Sequence, residues 1–414
     1  MRLVVVTPHF EPDVAPTGEV VTRLVHELAA RGHHIEVLTS LPWYRNHRIE
    51  PGYEGRLVRS EDTPWGHIAR VNPFATSDKR NLFKRGAAFV GFSAVASAIG
   101  VRGEPVDAVL AVSPPLTLGA AGYLIARARA AAFVFNVQDV YPDVAVELGV
   151  LKSRLVIQGA TRLERFCYAR ADKITVLSDE LKDNVGAKTD PAKVRVIPNF
   201  VDTDWIKPGP LENAYRTEFG LQGKKVVMYA GNVGLSQSID TVLDSAMALE
   251  YDPDIVFVIN GGGAVLEEVA RRARQLPNVR LVGMQPASRL PQVLGAADVH
   301  LVPLKKGLAR SSVPSKVYSI LAAGRPLVAS VDERSEVALL VERANAGFAV
   351  APGDAESLTK AIRRLVDDPD EARRMGLAAR RFVRSWASPA AVAASYEDLF
   401  EELAATPGGT ATGH

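Results

Sequence analysis

The sequence contains one cysteine, Cys167, in 414 residues. A single cysteine cannot form an internal disulfide, and without a CxxC motif or a Cys/His cluster the chain has no structural zinc pattern. These absences predict a cytoplasmic protein without a metal site. The net charge is also small, +2 at pH 7, so it gives no global attraction to nucleic acid, and no nucleic-acid partner is predicted.

Long apolar runs are absent as well. The uncharged run GAAFVGFSAVASAIGV has sixteen residues, from Gly86 to Val101, whereas a helix needs about 20 apolar residues to span a bilayer. A buried helix is therefore predicted there. The start, MRLVVVTPHF, has only a four-residue apolar core after one arginine, which predicts a first β-strand and not a signal peptide.

A basic and aromatic stretch surrounds the start of this helix. Between Leu41 and Val90, nine Lys or Arg stand against five Asp or Glu. Two interpretations are open: a peripheral face at the inner side of the plasma membrane, and an ordinary solvated basic loop. The residues that favour the membrane interpretation are Trp43, Tyr44, Trp65, Phe74, Lys79, Arg80, Lys84 and Arg85.

Strand-like runs alternate with helical periodicity along the chain, which is typical of parallel sheets covered on both faces. The first half contains LVVVT, a helix from Glu19 to Arg31, IEVLTS, a long loop, the Gly86 helix, DAVLAVS, AFVFNVQ and KITVLS. The pattern restarts with KVVMYAGN and continues through DIVFVINGGG, NVRLVG, DVHLVPL, PLVASV and AGFAVAPG. Because 414 residues exceed one hydrophobic core, the predicted fold class is α/β with two doubly wound, Rossmann-like domains.

The segment VIPNFVDTDWIKPGP loses all periodicity, which predicts a hinge from Pro198 to Pro210. We predict an N-terminal domain of residues 1–203 and a C-terminal domain of residues 204–387. A helix of residues 388–405 is expected to return toward the N-terminal domain, and residues 406–414 are expected to be a disordered tail. Since doubly wound sheets bind ligands at the carboxyl ends of their strands, the two domains should enclose an interdomain cleft.

Polar residues end one strand of the first domain. Gln138 and Asp139 follow the apolar run AAFVFNV and precede the turn at Pro142. A buried carboxylate is costly unless it is paired or meets water and ligands, so Asp139 is expected to line the cleft. The alternative is that Asp139 caps the turn.

In the second half, KKGLARSSVPSKVYSILAAGRPLVAS places a Ser/Pro helix start beside Arg310 and Lys316. Free helix amides and two cations predict a diphosphate site, and the alternative is a solvated basic loop. INGGGAVLEEVA contains Gly261 and Gly263 but lacks the third glycine and the acidic residue of an NAD site, which disfavours a dehydrogenase. These glycines can equally make a tight strand-to-helix turn.

The chain resembles a known family through PHFEPDVAPTG, FNVQDVYPDV, ADKITVLS, VIPNFVDT, YAGNVGLSQSIDTVLDSA, AADVHLVPL and VPSKVYSILAAGRPLVAS, in this order. It is similar to the retaining glycosyltransferases of family four, which have the GT-B fold. Within them it resembles the branch that transfers amino-sugar-like residues in cell-envelope polysaccharide or glycolipid synthesis. The resemblance covers nearly the whole chain.

This resemblance implies that the first predicted domain is the acceptor side and that the second binds the nucleotide sugar. It also implies roles for individual residues. The implied catalytic set is Asp139, Gln138, Arg310 and Lys316. The implied donor-binding set is Gly18 near the sugar or phosphate, Gly262, Val282 and Gly283 near the nucleotide base, and Asn232, Ser312, Ser315, Ser319 and Glu336. The sequence departs from the family where two glutamates are often found, at Ser311 and Ser319, and where a lysine is usual, at Gln237. Glu336 is expected to supply a carboxylate in their place or to be an ordinary helix residue.

The resemblance implies transfer of a sugar from a nucleotide-diphosphate sugar, with UDP favoured, to a hydroxyl of a lipid-linked or glycan acceptor. No metal and no other cofactor are expected. Two alternatives remain: a nucleotide-sugar epimerase or hydrolase on the same fold, and a catalytically silent sugar-nucleotide-binding protein.

Overall fold

The computed structural model describes residues 1–44, 48–74, 82–147, 151–307 and 316–405. These residues form two compact units. The first unit comprises Met1–Asn199 and the chain from Val392 onward, and the second comprises Phe200–Ala391. The observed divisions follow residues 199 and 391, beside the predicted domain limits of 203 and 387. The predicted tail of residues 406–414 lies outside the described residues.

In its described residues, the first unit is built on an eight-stranded sheet in the order β3-β4-β2-β1-β5-β6-β7-β8. Neighbouring strands are parallel except for the antiparallel pair β3 and β4. The central strand β5 is buried over its whole length, as expected for a parallel strand covered on both faces. The strands are β1 (Arg2–Val6), β2 (His34–Ser40), β3 (Val58–Thr63), β4 (Gly66–Val71), β5 (Ala108–Ser113), β6 (Ala132–Val137), β7 (Lys173–Val176) and β8 (Val194–Val196).

Helices connect these strands: α1 (Pro16–Ala30), α2 (Leu82–Gly100), α3 (Thr117–Ala128), α4 (Asp143–Glu147), α5 (Arg154–Arg170) and α6 (Asp179–Gly186). Helix α1 begins at Pro16, where a fixed φ and a missing N–H cost nothing. Helix α3 packs closely against α5 at Gly119. A Cβ at this position would lie only 2.6 Å from Cys167 Sγ, so a larger residue would not fit. Burial raises the pKa of Cys167 to about 12, so this thiol is a neutral core group.

In the second unit, the described strands form a six-stranded parallel sheet in the order β11-β10-β9-β12-β13-β14. They are β9 (Lys225–Asn232), β10 (Ile255–Gly262), β11 (Val279–Val282), β12 (Val299–Pro303), β13 (Leu327–Ser330) and β14 (Gly347–Val350). The helices are α7 (Ala214–Glu218), α8 (Ile239–Ala248), α9 (Leu266–Ala273), α10 (Leu290–Gly295), α11 (Lys316–Ala322), α12 (Glu336–Arg343), α13 (Ala355–Asp367) and α14 (Pro369–Trp386).

The last described helix, α15 (Pro389–Ala405), carries the chain from the second unit into the first. Its residues Tyr396, Leu399 and Phe400 are buried. Glu397 on the same helix accepts hydrogen bonds from Arg31 at 2.8 Å and from His33 at 3.0 Å. Helix α15 is therefore an integral part of the first unit.

The predicted fold class of two doubly wound α/β domains is confirmed. The prediction of one long loop between β2 and α2 is wrong in part, because that segment contains the antiparallel pair β3 and β4. The edge strand β3, VRSEDT, is short and partly charged, as edge strands often are, while β4, GHIARV, lies between β3 and β2. Helix α1 also begins three residues before the predicted Glu19, since Pro16 fits a first helical turn.

Candidate functional site

The predicted donor-binding residues of the second unit lie at strand ends and in the first turns of helices. Asn232 and Gly262 end β9 and β10 and are register partners, while Val282 ends β11 and Gly283 follows it. Lys316 and Ser319 share the first turns of α11, and Glu336 begins α12. The predicted residues Arg310, Ser312 and Ser315, together with Ser311 and Pro314, lie outside the described residues.

Lys316 reaches back from α11 to the end of β9. Its Nζ donates hydrogen bonds to Tyr229 Oη at 3.0 Å and to Gln237 Oε1 at 3.4 Å. It also lies 4.4 Å from the centroid of the Tyr229 ring. Within the described part of the chain, no carboxylate forms an ion pair with this ammonium. Burial lowers the pKa of Lys316 to about 8, because the loss of hydrating water disfavours the charged form.

The direction of these hydrogen bonds follows from Tyr229. Its hydroxyl donates its only proton to the carbonyl oxygen of Asn232, so the oxygen serves Lys316 as an acceptor. An ammonium has three N–H donors, and two of them reach the neutral oxygens of Tyr229 and Gln237. One donor and a full positive charge remain for a ligand. The sequence did not single out Tyr229, because its side chain reads as one more apolar residue of a buried strand.

Glycines let the ends of β9 and β10 approach each other. A Cβ on Gly261 would lie 1.9 Å from the carbonyl oxygen of Gly231. Gly231 has φ +141°, and a Cβ there would lie 3.2 Å from Lys316 Nζ. Gly263 has φ +155°, with the carbonyl oxygen of Val233 2.4 Å from its Cβ position. These contacts support the structural interpretation of INGGG, a tight junction between strands.

Gly262 and Gly283 differ from these glycines. No heavy atom among the described residues lies within 4 Å of a Cβ built on either one. The backbone at both strand ends is thus accessible, as contact with a nucleotide base would require. Whether the base binds there stays a prediction, as it does for Val282, which is buried.

Glu336, the candidate replacement for the family's glutamates, and Ser319, which occupies one of their positions, have different surroundings. Glu336 is buried in the first turn of α12, directly after Ser335, whose Oγ accepts the Ala338 N–H at 3.2 Å. Burial and, secondarily, the charge of Glu336 raise the pKa of Tyr318 on α11. Glu336 is therefore close enough to α11 to act on it electrostatically. Ser319 is partly exposed, one helical turn after Lys316.

In the first unit, Gln138 and Asp139 follow the end of β6. Gln138 Nε2 donates to Asn136 Oδ1 at 2.7 Å, and its Oε1 accepts from Asn199 Nδ2 at 2.8 Å. Asp139 is exposed and has neither a capping bond nor an ion-pair partner in the residues described. The surrounding protein still removes enough hydration to raise the pKa of Asp139. Its carboxylate can therefore meet a ligand.

A polar cluster at the β1–α1 junction was missed by the sequence analysis. His9 Nδ1 lies 2.7 Å from Asp13 Oδ2, and Asp13 Oδ1 accepts the Tyr44 N–H at 3.0 Å. Gly18 packs against this cluster, since a Cβ on it would lie 2.8 Å from His9 Cβ. The predicted role of Gly18 near the sugar or phosphate stays a prediction. The signal for the cluster is the pair of polar residues flanking the prolines of PHFEPD.

The aromatic residues of the predicted membrane face differ in their surroundings. Trp65 packs against Phe10 and His26, and Trp43 against His9, with ring centroids 5.6 to 6.3 Å apart. Tyr44 and Phe74 are 39% and 42% exposed. Lys79 and Arg80 lie outside the described residues, as do the side chains of Lys84 and Arg85.

The described ranges contain neither a metal-binding cluster nor a membrane-spanning helix. No group of His, Cys, Asp and Glu side chains is arranged to hold a metal ion. None of the described helices combines the length and the apolar character needed to cross a membrane.

Two protein-family models match the chain. A glycosyl transferase 4-like domain covers residues 17–199, and a domain of the glycosyl transferases group 1 covers residues 212–382. With two doubly wound units of this kind, the molecule is a glycosyltransferase of the GT-B class. The chain belongs to the glycosyltransferase family that joins a 4-like domain to a group 1 domain, so the predicted membership of family four is confirmed.

Curated relatives agree with this assignment. The chain is 30% identical over 296 residues to WbjE of Pseudomonas aeruginosa, which is named as a glycosyltransferase, covering 70% of this chain and 74% of WbjE. It is 28% identical over 377 residues to WcaI of Escherichia coli K12, which is named as a colanic acid biosynthesis glycosyl transferase. That match covers 88% of this chain and 91% of WcaI.

Solved structures support the fold. Sucrose-phosphate synthase from Thermosynechococcus elongatus superposes with a TM-score of 0.66 at 19% identity, covering 97% of this chain and 99% of that chain. HepE of Anabaena, crystallised with UDP-glucose, has a TM-score of 0.60 at 13% identity, covering 97% of this chain and 100% of that chain. At these identities the likeness concerns the fold alone.

Proposed function

We propose that the protein transfers a sugar from a nucleotide-diphosphate sugar, with UDP favoured, to a hydroxyl of a lipid-linked or glycan acceptor. The observation that carries this proposal is the Lys316 ammonium, which is partly buried and has only neutral hydrogen-bond partners among the described residues. A buried charge is costly unless it is paired. A diphosphate supplies the missing negative charge and accepts the remaining N–H.

The relatives suggest the biological setting. WcaI is named for colanic acid biosynthesis, and the HepE crystals contain UDP-glucose. We therefore assign this enzyme to the assembly of a cell-envelope polysaccharide or glycolipid in the cytoplasm, at the inner face of the plasma membrane. Phosphate recognition rests on protein cations and amides in this proposal, with no metal or other cofactor.

The proposed reaction retains the configuration at the anomeric carbon. The bond between this carbon and the diphosphate oxygen breaks, the acceptor oxygen bonds to the same face, and the acceptor proton passes to the leaving phosphate. Lys316, with Arg310 and the Ser312 and Ser315 amides, stabilises the charge that develops on the diphosphate. Asp139 orients a hydroxyl or favours positive charge on the sugar ring. Holding both reactants in place supplies much of the acceleration.

The proposal is tested by calorimetric titration of the protein with UDP, GDP, ADP and TDP sugars, followed by product analysis with and without extracted lipid acceptors. We expect one donor to bind and its sugar to appear on an acceptor, with the donor's anomeric configuration seen by NMR. Isomerised or hydrolysed donor as the sole product, binding without turnover, or an inverted linkage would each contradict it.

The acceptor is proposed to reach the enzyme at a membrane surface. The exposed Tyr44 and Phe74 support this part of the proposal, together with the basic stretch that follows them in sequence. Co-sedimentation with anionic liposomes, and release from them by high salt, is the expected result. Equal recovery in the supernatant with anionic and neutral liposomes would contradict the membrane contact.

A further inference from the structure

A chain of side-chain hydrogen bonds runs through the first unit at the end of β6. Asn136 Nδ2 donates to Tyr396 Oη at 2.9 Å and to Thr175 Oγ1 at 3.0 Å. Asn136 Oδ1 accepts from Gln138 at 2.7 Å, and Gln138 in turn accepts from Asn199 at 2.8 Å. Tyr396 and Thr175 are also 3.2 Å apart. Every polar atom of the Asn136 side chain is therefore satisfied.

This polar network lies in the core of the first unit, where apolar side chains would be expected. Asn136, Thr175 and Tyr396 are all buried, while their strand neighbours Phe135 and Val176 are core residues. Burying amides and hydroxyls costs free energy unless each atom is bonded. A fully bonded buried network restricts the side chains to one arrangement. Helix packing alone needs no such arrangement, because apolar side chains of similar size also fill a core.

The two ends of the network lie close in sequence to the points at which the chain leaves and re-enters the first unit. Asn199 is the last residue of the first unit before the chain leaves it, and Tyr396 stands on α15, by which the chain re-enters. Both are bonded, directly or through Asn136, to Gln138. The next residue is Asp139, whose carboxylate has no partner among the residues described. The network thus ties both chain passages to the backbone that carries Asp139.

We propose that Tyr396, Asn136 and Asn199 are positioning residues that hold Gln138, and through it the Asp139 backbone, in one orientation at the end of β6. Gln138 then acts as a bridge inside the protein, since both ends of its amide are occupied by protein groups, and Asp139 is the group that meets the substrate. This inference rests on the proposed function for the role of Asp139, but the hydrogen-bonded arrangement does not.

The first test uses the free enzyme. Tyr396→Phe removes only the hydroxyl, and Tyr168→Phe is the matched control, a buried tyrosine of the same unit on α5. Hydrogen exchange of the Asn and Gln side-chain amides is measured by NMR on protein labelled at these residues. We expect the Gln138 and Asn136 amide protons to exchange about tenfold faster in Tyr396→Phe, because a hydrogen bond is lost. Tyr168→Phe should leave both unchanged.

The second test measures turnover and UDP affinity. Tyr396→Phe and Asn199→Ala should each lower kcat for transfer about tenfold while leaving UDP affinity, a property of the second unit, unchanged. Asn199→Ala carries this test if Tyr396→Phe fails to fold. Unaltered amide exchange in Tyr396→Phe, or equal changes in the Tyr168→Phe control, would overturn the inference. Failure to bind UDP in the unaltered enzyme would instead count against the proposed function.

Discussion

At the residue scale, Lys316 lies next to Gln237, a position at which a positive charge is missing. The family's usual lysine at position 237 is a glutamine here, and Gln237 Oε1 faces Lys316 Nζ at 3.4 Å. The cation therefore approaches from α11 and not from the segment after β9. The ring of Tyr229 and the absence of a side chain at Gly231 make room for it.

The Asp139 carboxylate should lower the free energy of unfolding at neutral pH, although the proposed reaction needs it. Its pKa is raised in the folded protein, so between the ordinary and the raised value the native state binds more protons than the unfolded state. Stability then falls as the pH rises through that window, and the cost persists at pH 7. Asp139→Asn should leave the free energy of unfolding at pH 7 equal or higher, as measured by urea denaturation at pH 3 and pH 7.

A nearby carboxylate provides the control for Asp139. Asp143 Oδ2 forms an ion pair with Lys188 Nζ at 2.6 Å, so Asp143→Asn should lower stability at pH 7, by roughly 1 kcal/mol or less for a partly exposed pair. Transfer activity should fall on the order of a hundredfold in Asp139→Asn. Marked destabilisation by Asp139→Asn would mean that its carboxylate is structural.

The sequence could predict single residues where charge or backbone chemistry is distinctive. Asp139 and Lys316 stand out because each is an ionisable residue beside an apolar run. The Tyr229 hydroxyl and the Asp13 carboxylate could not be identified, because their roles depend on hydrogen bonds to Asn232, His9 and Tyr44. Gln138 was predicted as a catalytic residue, which stays untested, and its observed partners favour a bridging role.

At the scale of elements, two glycines at the end of β10 should have different roles. Gly261 should matter for stability and Gly262 for UDP binding. Gly261→Ala places a Cβ 1.9 Å from the Gly231 carbonyl oxygen, so it should cost roughly 1–3 kcal/mol of stability. Gly262→Ala meets open space and should fold normally, with weaker UDP binding if the base lies there. Denaturation and UDP calorimetry distinguish the two variants. Equal destabilisation by both would contradict the described strand junction.

Elements with strong periodicity or continuous apolar runs were predictable. KVVMYAGN coincides with β9, and the buried run AVLAVS is β5. The β3–β4 pair was not, because VRSEDT in β3 contains a single apolar residue, Val58, and so lacks the alternation that indicates a half-buried strand. The predicted start of α1 was wrong by three residues because Pro16 is the third proline of PHFEPDVAPTG, and closely spaced prolines usually indicate a loop.

At the scale of the whole molecule, α15 should be required by the first unit. Tyr396, Leu399 and Phe400 are buried, and each large apolar side chain contributes roughly 1.5–3 kcal/mol. Ending the chain after Ala391 should therefore speed hydrogen exchange in β6 and β7. Ending it after Ala405 should have no effect, because only the predicted tail is removed. Identical exchange in both shortened proteins would contradict the assignment of α15 to the first unit.

Two domains were predictable because the strand–helix pattern restarts after a segment without periodicity. The division itself falls at residues 199 and 391, and the Pro-rich crossing gives no periodic signal that would fix such a boundary to the residue. The Asn136–Tyr396 hydrogen bond joins residues 260 positions apart. A contact over that separation has no signature in local pattern or propensity, so only the folded chain reveals it.

The central claim, that Lys316 binds the diphosphate of a nucleotide sugar, is tested most directly by calorimetric titration with UDP from pH 7 to pH 9. We expect affinity to fall as the pH rises through about 8, where Lys316 loses its charge. Lys316→Met should weaken UDP binding at pH 7 roughly tenfold or more. The double variant Lys316→Met/Gln237→Lys should regain part of the lost UDP affinity. Equal UDP affinity in the unaltered enzyme and Lys316→Met at pH 7 would contradict the account.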